Sequence, residues 1–293
     1  MIRPATAPGL WFGLVTAFRQ WCYDVFAPAL PRQRLRQARA RGQVTLLGAG
    51  PGAADLITLR GLRALQTEDV IFYDRLADAA LLSHAKPGAS CIPVGKAPGN
   101  HSVSQDRINQ LLVAAAQRGS QVVRLKCGDP SVFGRGAEEA LALTEAGIPW
   151  QIIPGVTAAC AAAAAARSFL TERGVTERVI FATGHRRAGD VTDWSAAAAP
   201  GTTLACYMAV AGVAEIQRGL SAAGWPAHCP VEVISRAQTP DEKILRGQLQ
   251  GLEILCAPHT DLNPAILLIR WPADFVSQGQ LATALTIRTK FYA

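Results

Sequence analysis

The sequence predicts an α/β protein of two lobes, each a mainly parallel sheet covered by helices. Three observations carry that expectation. Short apolar runs alternate with longer stretches of helical periodicity from residue 43 onward, the pattern of strands crossing over through helices. Glycine-rich turns follow several of the strand-like runs. The alternation pauses over residues 156–178, where an Ala-rich stretch reads as a helix joining the two halves. The expected organisation is an extension over 1–42, lobes over 43–156 and 157–273, and a tail over 274–293.

Each element has its own signal. Val44–Leu47 is a buried strand that runs into Gly48-Ala49-Gly50-Pro51-Gly52, and Leu56–Leu65 is a helix with Thr58 near its start. Val70–Tyr73 is a strand ending at Asp74. Gln105–Arg118 is a helix stopped by Gly119, and Ala137–Ala146 a helix stopped by Gly147. Val122–Leu125 is a strand leading into Lys126-Cys127-Gly128-Asp129-Pro130, and Ile152 and Ile153 form a short one before Pro154 and Gly155. The second half supplies strands at Val179–Ala182, Thr203–Tyr207, Val231–Ile234 and Ala265–Ile269, and a helix at Val213–Ala222.

Bulk properties narrow the function classes. The net charge is +7, but residues 1–42 hold seven arginines against one acid, so the rest is close to neutral and nucleic acid is not an expected partner. Seven cysteines without a CxxC pair argue against a disulfide framework or a zinc site, and for a reducing cytoplasm. No apolar run is long enough to span a bilayer. Trp11, Leu14, Val15, Phe18, Trp21, Cys22, Val25 and Phe26 recur at helical steps. They read first as a helix packed on the body or a partner subunit, with membrane-surface contact as the alternative.

Four segments stand out as candidate sites. Gly48–Ala53 nearly satisfies a dinucleotide fingerprint, with Asp69 or Asp74 about 20 residues on. Pro51, however, removes one N–H from a loop whose task would be donation, which leaves a plain turn, a dinucleotide and another nucleotide-like ligand all open. Asp74 and Arg75 sit just past a strand end, where a carboxylate could take a proton and a guanidinium could clasp a carboxylate. Lys96 follows Gly95 on a loop, where it could serve as an acid or an anion contact, with His101 close by and His185 after a later strand. Residues 126–136 pack two Gly-rich turns against a buried strand end, as needed where backbone passes close to a flat ligand.

Taken in order, the motifs resemble the tetrapyrrole methylases, in particular the uroporphyrinogen-III C-methyltransferases. The resemblance rests on GAGPG (48–52), YDRL (73–76), VGK (94–96), VVRLK-GDP-VFGRG (122–136), PGVTAA (154–159), TGH (183–185) and YM (207–208), over roughly 43–272. It implies S-adenosylmethionine as methyl donor bound in a cleft between the lobes, S-adenosylhomocysteine as product, no metal, and a homodimer. The donor would be held by Pro51, Cys127, Gly128, Asp129, Val132, Thr157, Ala158, Met208 and Ala237. Asp74 would accept a proton and Lys96 supply one. Arg75, Arg135 and Arg173 are plausible clamps for the carboxylates of the tetrapyrrole substrate. The reaction implied is methylation of uroporphyrinogen III at C2 and C7 to precorrin-2, on the way to sirohaem or cobalamin, with a dehydrogenase–ferrochelatase partner downstream. The sequence departs from the family pattern at Cys127, Ser131, Arg167, Glu172, Ala209 and Ala237.

Overall fold

A computed structural model describes residues 42–95, 103–184 and 193–273. The N-terminal extension, Lys96, His101, His185 and the C-terminal tail lie outside the described residues. Two five-stranded sheets account for the architecture.

The first sheet has the order β3-β2-β4-β1-β5, with β1 at Gln43–Gly48, β2 at Val70–Tyr73, β3 at Ser90–Pro93, β4 at Gln121–Lys126 and β5 at Trp150–Ile153. All its pairings are parallel. Helices cover both faces. Alternation along β1 sends Val44 and Leu46 into a cluster with Ile108, Leu112 and Leu143, while Leu47 joins Leu65, Ile71 and Leu81 on the other side. The helices involved are α1 (Leu59–Leu65), α2 (Gln105–Gln117) and α3 (Gly136–Glu145). The helix expected over Leu56–Leu65 is divided: Ala54–Leu56 is a single 3-10 turn, and Thr58 caps α1 by accepting from the Gly61 N–H at 3.1 Å.

The second sheet has the order β6-β7-β10-β8-β9, from β6 (Arg178–Thr183), β7 (Thr202–Tyr207), β8 (Pro230–Ser235), β9 (Lys243–Gln248) and β10 (Ala265–Trp271). Here the outcome differs from the parallel sheet expected. Only β6 and β7 run parallel, whereas β10 is antiparallel to both of its neighbours and β8 forms a hairpin with β9. The central strands β7, β8 and β10 are buried on both faces, so they read as continuous apolar runs whichever way they pair. One face packs on α5 (Val213–Ala222) and α6 (Leu252–Cys256) through Trp194, Ile216, Leu220 and Leu252. The other receives α4 (Ala158–Ala165), whose alanines pack against Ala205, Ile266 and Leu268. The Ala-rich helix therefore belongs to the second sheet's core, and its small side chains let it lie close.

The first lobe is pinned where three turns meet backbone to backbone. A Cβ on Gly48 would stand 2.5 Å from the Gly155 nitrogen, and one on Gly155 would stand 2.3 Å from the Gly128 oxygen. Gly128 and Gly50 bridge each other through N–H donations of 2.7 and 3.3 Å. The ends of β1, β4 and β5 thus approach more closely than any side chain allows. Gly155→Ala is expected to destabilise the protein by about 1–3 kcal/mol, since the obstructing atoms are main chain and cannot swing aside. An unchanged urea midpoint would refute this account of the contact.

Candidate active site

In an open parallel sheet the carboxyl ends of the strands face a common crevice. The turns after β1, β2, β4 and β5 all open there, and they form one wall of a cleft of about 1110 Å³. The opposite wall comes from the second sheet, through residues following β7 and β8 and preceding β10. The lobes abut at this cleft: a Cβ on Gly52 would stand 2.4 Å from the Ala237 oxygen. Across it the Phe133 and Tyr207 rings lie 4.9 Å apart, with Phe181 on the far side of Tyr207 at 5.8 Å.

The residues singled out as donor contacts converge on this one space. Pro51, Cys127, Gly128, Asp129, Val132, Thr157, Ala158, Met208 and Ala237 all line the cleft, and Asp74 and Arg75 line it with them. Arg135 and Arg173 do not belong to that lining. Arg135 is exposed and forms a two-pronged ion pair with Glu138, at 2.7 and 2.6 Å, one turn into α3. Arg173 is exposed on the segment between α4 and β6.

Local chemistry shapes each wall. Asp129 fixes the turn after β4: one carboxylate oxygen accepts from the Ser131 N–H at 2.8 Å and from the Ser131 hydroxyl, and the other accepts from the Gly155 N–H at 3.0 Å. Ser131 therefore reinforces this turn. The Tyr207 phenol reaches the start of α4, accepting from the Ala159 N–H at 3.1 Å and sharing a 2.7 Å hydrogen bond with the Thr157 hydroxyl. A strand side chain thus satisfies one of the N–H groups that a helix start leaves unpaired. Burial pushes the Tyr207 hydroxyl upward, so it acts as a neutral phenol.

Backbone strain gathers at the cleft. Phe133, Met208, Arg236 and Gln238 all line it, and all have positive φ without being glycine. Each such conformation costs about 1–3 kcal/mol and persists only where the surroundings over-determine it. Four in one cleft mark the region as shaped for contact with something other than the chain itself.

Beneath the first wall runs a buried charge network that the sequence reading passed over. Arg124 is 2% exposed, and its guanidinium donates to Asp74 Oδ1 at 2.5 Å, to Glu139 Oε1 at 2.9 Å and to the Leu125 carbonyl at 3.2 Å. Lys126 donates to the same Glu139 oxygen at 2.9 Å, and Gln105 does so at 3.3 Å. Burial, then repulsion from Arg124, lowers the Lys126 pKa. The available signal was two cations at i and i+2 within an otherwise apolar strand, which places both on one buried face. Tyr207 and Phe133 lie within motifs of the resemblance but were given no role, and Arg236 was missed because a single basic residue carries no spacing signal.

This is the geometry of a two-lobed tetrapyrrole methylase. The sequence pattern of the tetrapyrrole (corrin/porphyrin) methylases matches residues 43–253, and the chain belongs to that family. Among curated proteins, it is 49% identical over 243 residues to siroheme synthase 1 of Yersinia enterocolitica, covering 83% of this chain and 51% of that one. It is 50% identical over 242 residues to siroheme synthase 1 of Pectobacterium atrosepticum, covering 82% and 50%. The chain therefore spans about half the length of the curated relatives it matches. Among solved structures, a uroporphyrin-III C-methyltransferase from Thermus thermophilus complexed with S-adenosylhomocysteine superimposes with a TM-score of 0.67 at 34% identity, covering 78% of this chain and 97% of that one. A cobalt precorrin-4 methyltransferase of cobalamin biosynthesis gives a TM-score of 0.69 at 29% identity, covering 85% and 100%.

Among the described residues no helix is long and apolar enough to cross a membrane. Six cysteines are described, and all are unpaired. Burial, with a smaller contribution from Asp74, pushes the Cys127 thiol up to about 11. Only about one molecule in a thousand would then carry the thiolate at pH 8, so Cys127 is a poor nucleophile beside any electrophile in the cleft. Peptide mapping after iodoacetamide treatment should show exposed Cys91 and Cys160 alkylated well before Cys127. Alkylation of Cys127 should keep rising about tenfold per pH unit up to pH 9. A plateau near pH 8 would contradict the raised value.

Proposed function

We propose that this chain transfers methyl groups from S-adenosylmethionine to uroporphyrinogen III, at C2 and C7, to give precorrin-2. The observation that carries the reading is the convergence, in one inter-lobe cleft, of nine residues expected to hold the donor with Asp74. The cleft suits two guests. Its volume of about 1110 Å³ lies just above the range for a single small ligand, about 300–1,000 Å³. Its lining is rich in alanine and glycine, and its charged side chains are four aspartates against two arginines, a balance that favours a cationic donor. The likeness to a methyltransferase crystallised with S-adenosylhomocysteine points the same way.

When bound, the donor supplies a sulfonium methyl already activated toward a carbon nucleophile, so its C–S bond breaks as a C–C bond forms and the sulfur keeps the pair. The protein's task is positioning and proton removal. Main chain at Gly128 and Ala158 and the Pro51 ring line one wall, where a donor would be held close. Cys127 stays neutral there and does not compete for the methyl group. Asp74, at the end of β2 and half-open to the cleft, accepts the proton that the ring system loses after each transfer. Arg75 and Arg236 line the cleft and are the cations placed to clasp substrate carboxylates. Arg135 and Arg173 have no such place in the described geometry. Lys96 remains the proposed proton donor. A homodimer, a cytoplasmic setting, and dehydrogenation and iron insertion by a separate partner belong to the same reading.

A second reading, methylation of a related tetrapyrrole, is favoured by the likeness to the cobalt precorrin-4 methyltransferase. Incubation with the donor and enzymatically made uroporphyrinogen III separates the two. A mass gain of two methyl groups supports the first, transfer to another tetrapyrrole but not to this substrate supports the second, and donor binding without transfer to either points to a weakly active or non-catalytic paralogue with a binding or regulatory role.

Asp74→Asn should lower kcat about 100-fold, within the range of general-base contributions, with little change in S-adenosylhomocysteine affinity. An unchanged kcat would remove Asp74 from the chemistry. Cys127→Gly deletes a side chain from the donor wall and should tighten S-adenosylhomocysteine binding about threefold, or about 0.6 kcal/mol. Weaker binding by calorimetry would show that the thiol contributes favourable contact.

A further inference from the structure

We propose that Arg124 is a positioning residue for Asp74, that Glu139 fixes Arg124 in turn, and that Lys126 balances the charge of Glu139. The inference rests on the reading that Asp74 is the proton acceptor.

The register explains how the contact arises. Phe72 pairs with Arg124 and Tyr73 with Leu125, so Arg124 lies on the neighbouring strand two residues short of Asp74. The Asp74 N–H donates to the Leu125 carbonyl at 3.1 Å, and the Arg124 guanidinium donates to that same carbonyl at 3.2 Å. Backbone and side chain of Asp74 are therefore held by one ring of contacts, through Leu125 O and through Oδ1. The planar fork of arginine can meet Asp74, Leu125 and Glu139 at once, and a lysine ammonium cannot span all three.

Glu139 is 0% exposed, and its Oε1 accepts from Arg124, Lys126 and Gln105, while its Oε2 has no hydrogen-bond partner among the described residues. A carboxylate loaded on one oxygen in this way serves to place its donors. Two buried cations and two carboxylates leave the group neutral. Buried ion pairs of this kind add little stability over well-packed apolar residues. Here one end of the network opens into the cleft, through an aspartate that is 29% exposed. Glu139 also stands in the first turn of α3, directly after the cleft loop 127–135, and Lys126 directly before it. The network therefore joins the two ends of that loop to the proton acceptor.

The test uses the full chain with S-adenosylmethionine and uroporphyrinogen III in single-turnover assays, and S-adenosylhomocysteine in calorimetry. Arg124→Lys keeps the charge and loses the fork. It should lower the transfer rate at least about tenfold while S-adenosylhomocysteine affinity stays within about twofold. In an Asp74→Asn background the same change should cost less than about twofold more, because there is no acceptor left to position. A purely structural arginine would slow both backgrounds alike, and that result, or a full rate for Arg124→Lys, overturns the proposal. Should Arg124→Lys not fold, the charge-balanced pair Lys126→Met with Glu139→Gln carries the same comparison. It should fold and slow transfer about threefold or more in the Asp74 background alone, and an unchanged rate overturns the proposal. If the unaltered chain transfers no methyl group, the assignment of function fails, and the positioning role fails with it. If the unaltered chain is active and the variants match it, the positioning role alone is lost.

Discussion

Main chain packed on main chain, at Gly48, Gly128 and Gly155, is the constraint from which the rest of the structure follows. With no side chain between them, the carboxyl ends of β1, β4 and β5 are drawn into one tight corner. The turns that leave that corner have little choice of direction, so residues 51–54, 127–134 and 157–158 spread as a continuous wall. Asp129 locks two of those turns together by accepting from Ser131 and Gly155. The second lobe meets the wall at Gly52, where the Ala237 carbonyl again leaves no room for a Cβ. Glycine thus acts twice, once to build the wall and once to let the opposite lobe approach it.

The first sheet was legible because its strands carry turn signals at their carboxyl ends and its helices carry stops. Gln105–Gln117 and Val213–Ala222 fall where periodicity placed them, and β1, β2 and β4 match to within a residue or two. What failed has a physical reason. Strand direction in the second sheet is invisible to a pattern of buried residues, since β7, β8 and β10 are apolar on both faces in either orientation. Strands β3 and β9 were missed because both are edges, exposed or half-exposed, without an apolar run to announce them.

The site shows the same division. Residues expected at the donor site were named through the family resemblance, and they line one cleft. Residues that act through burial were not named. Arg124 and Lys126 look like ordinary surface charges in a list of motifs, yet the strand carries them to the centre of a sheet, where each must find an anion. Glu139 supplies it from a helix that begins 10 residues after Lys126. Such pairing depends on how α3 folds back over β4, which no local spacing encodes. Arg135 illustrates the converse: it stands in a motif, yet Glu138 one turn away claims both prongs of its guanidinium.

Charge is the last element, and it resolves an apparent conflict between the two guests. A tetrapyrrole bearing carboxylates would be repelled by a lining with four aspartates and two arginines if all six faced it freely. They do not. Asp129 spends its oxygens on Ser131 and Gly155, Asp74 gives one oxygen to Arg124, and Asp78 accepts from the Ala80 N–H, so three of the four carboxylates are already hydrogen-bonded to the protein. Their negative charge still favours a nearby sulfonium, because field acts at a distance, while their lone pairs are largely committed, so they compete little for other donors in the cleft. Arg75 is exposed at the cleft, and Arg236 directs one prong to the Asp261 carbonyl. The same walls can therefore attract a cation deep in the turns and still hold cations for carboxylates, because the acids there are tied down by the fold.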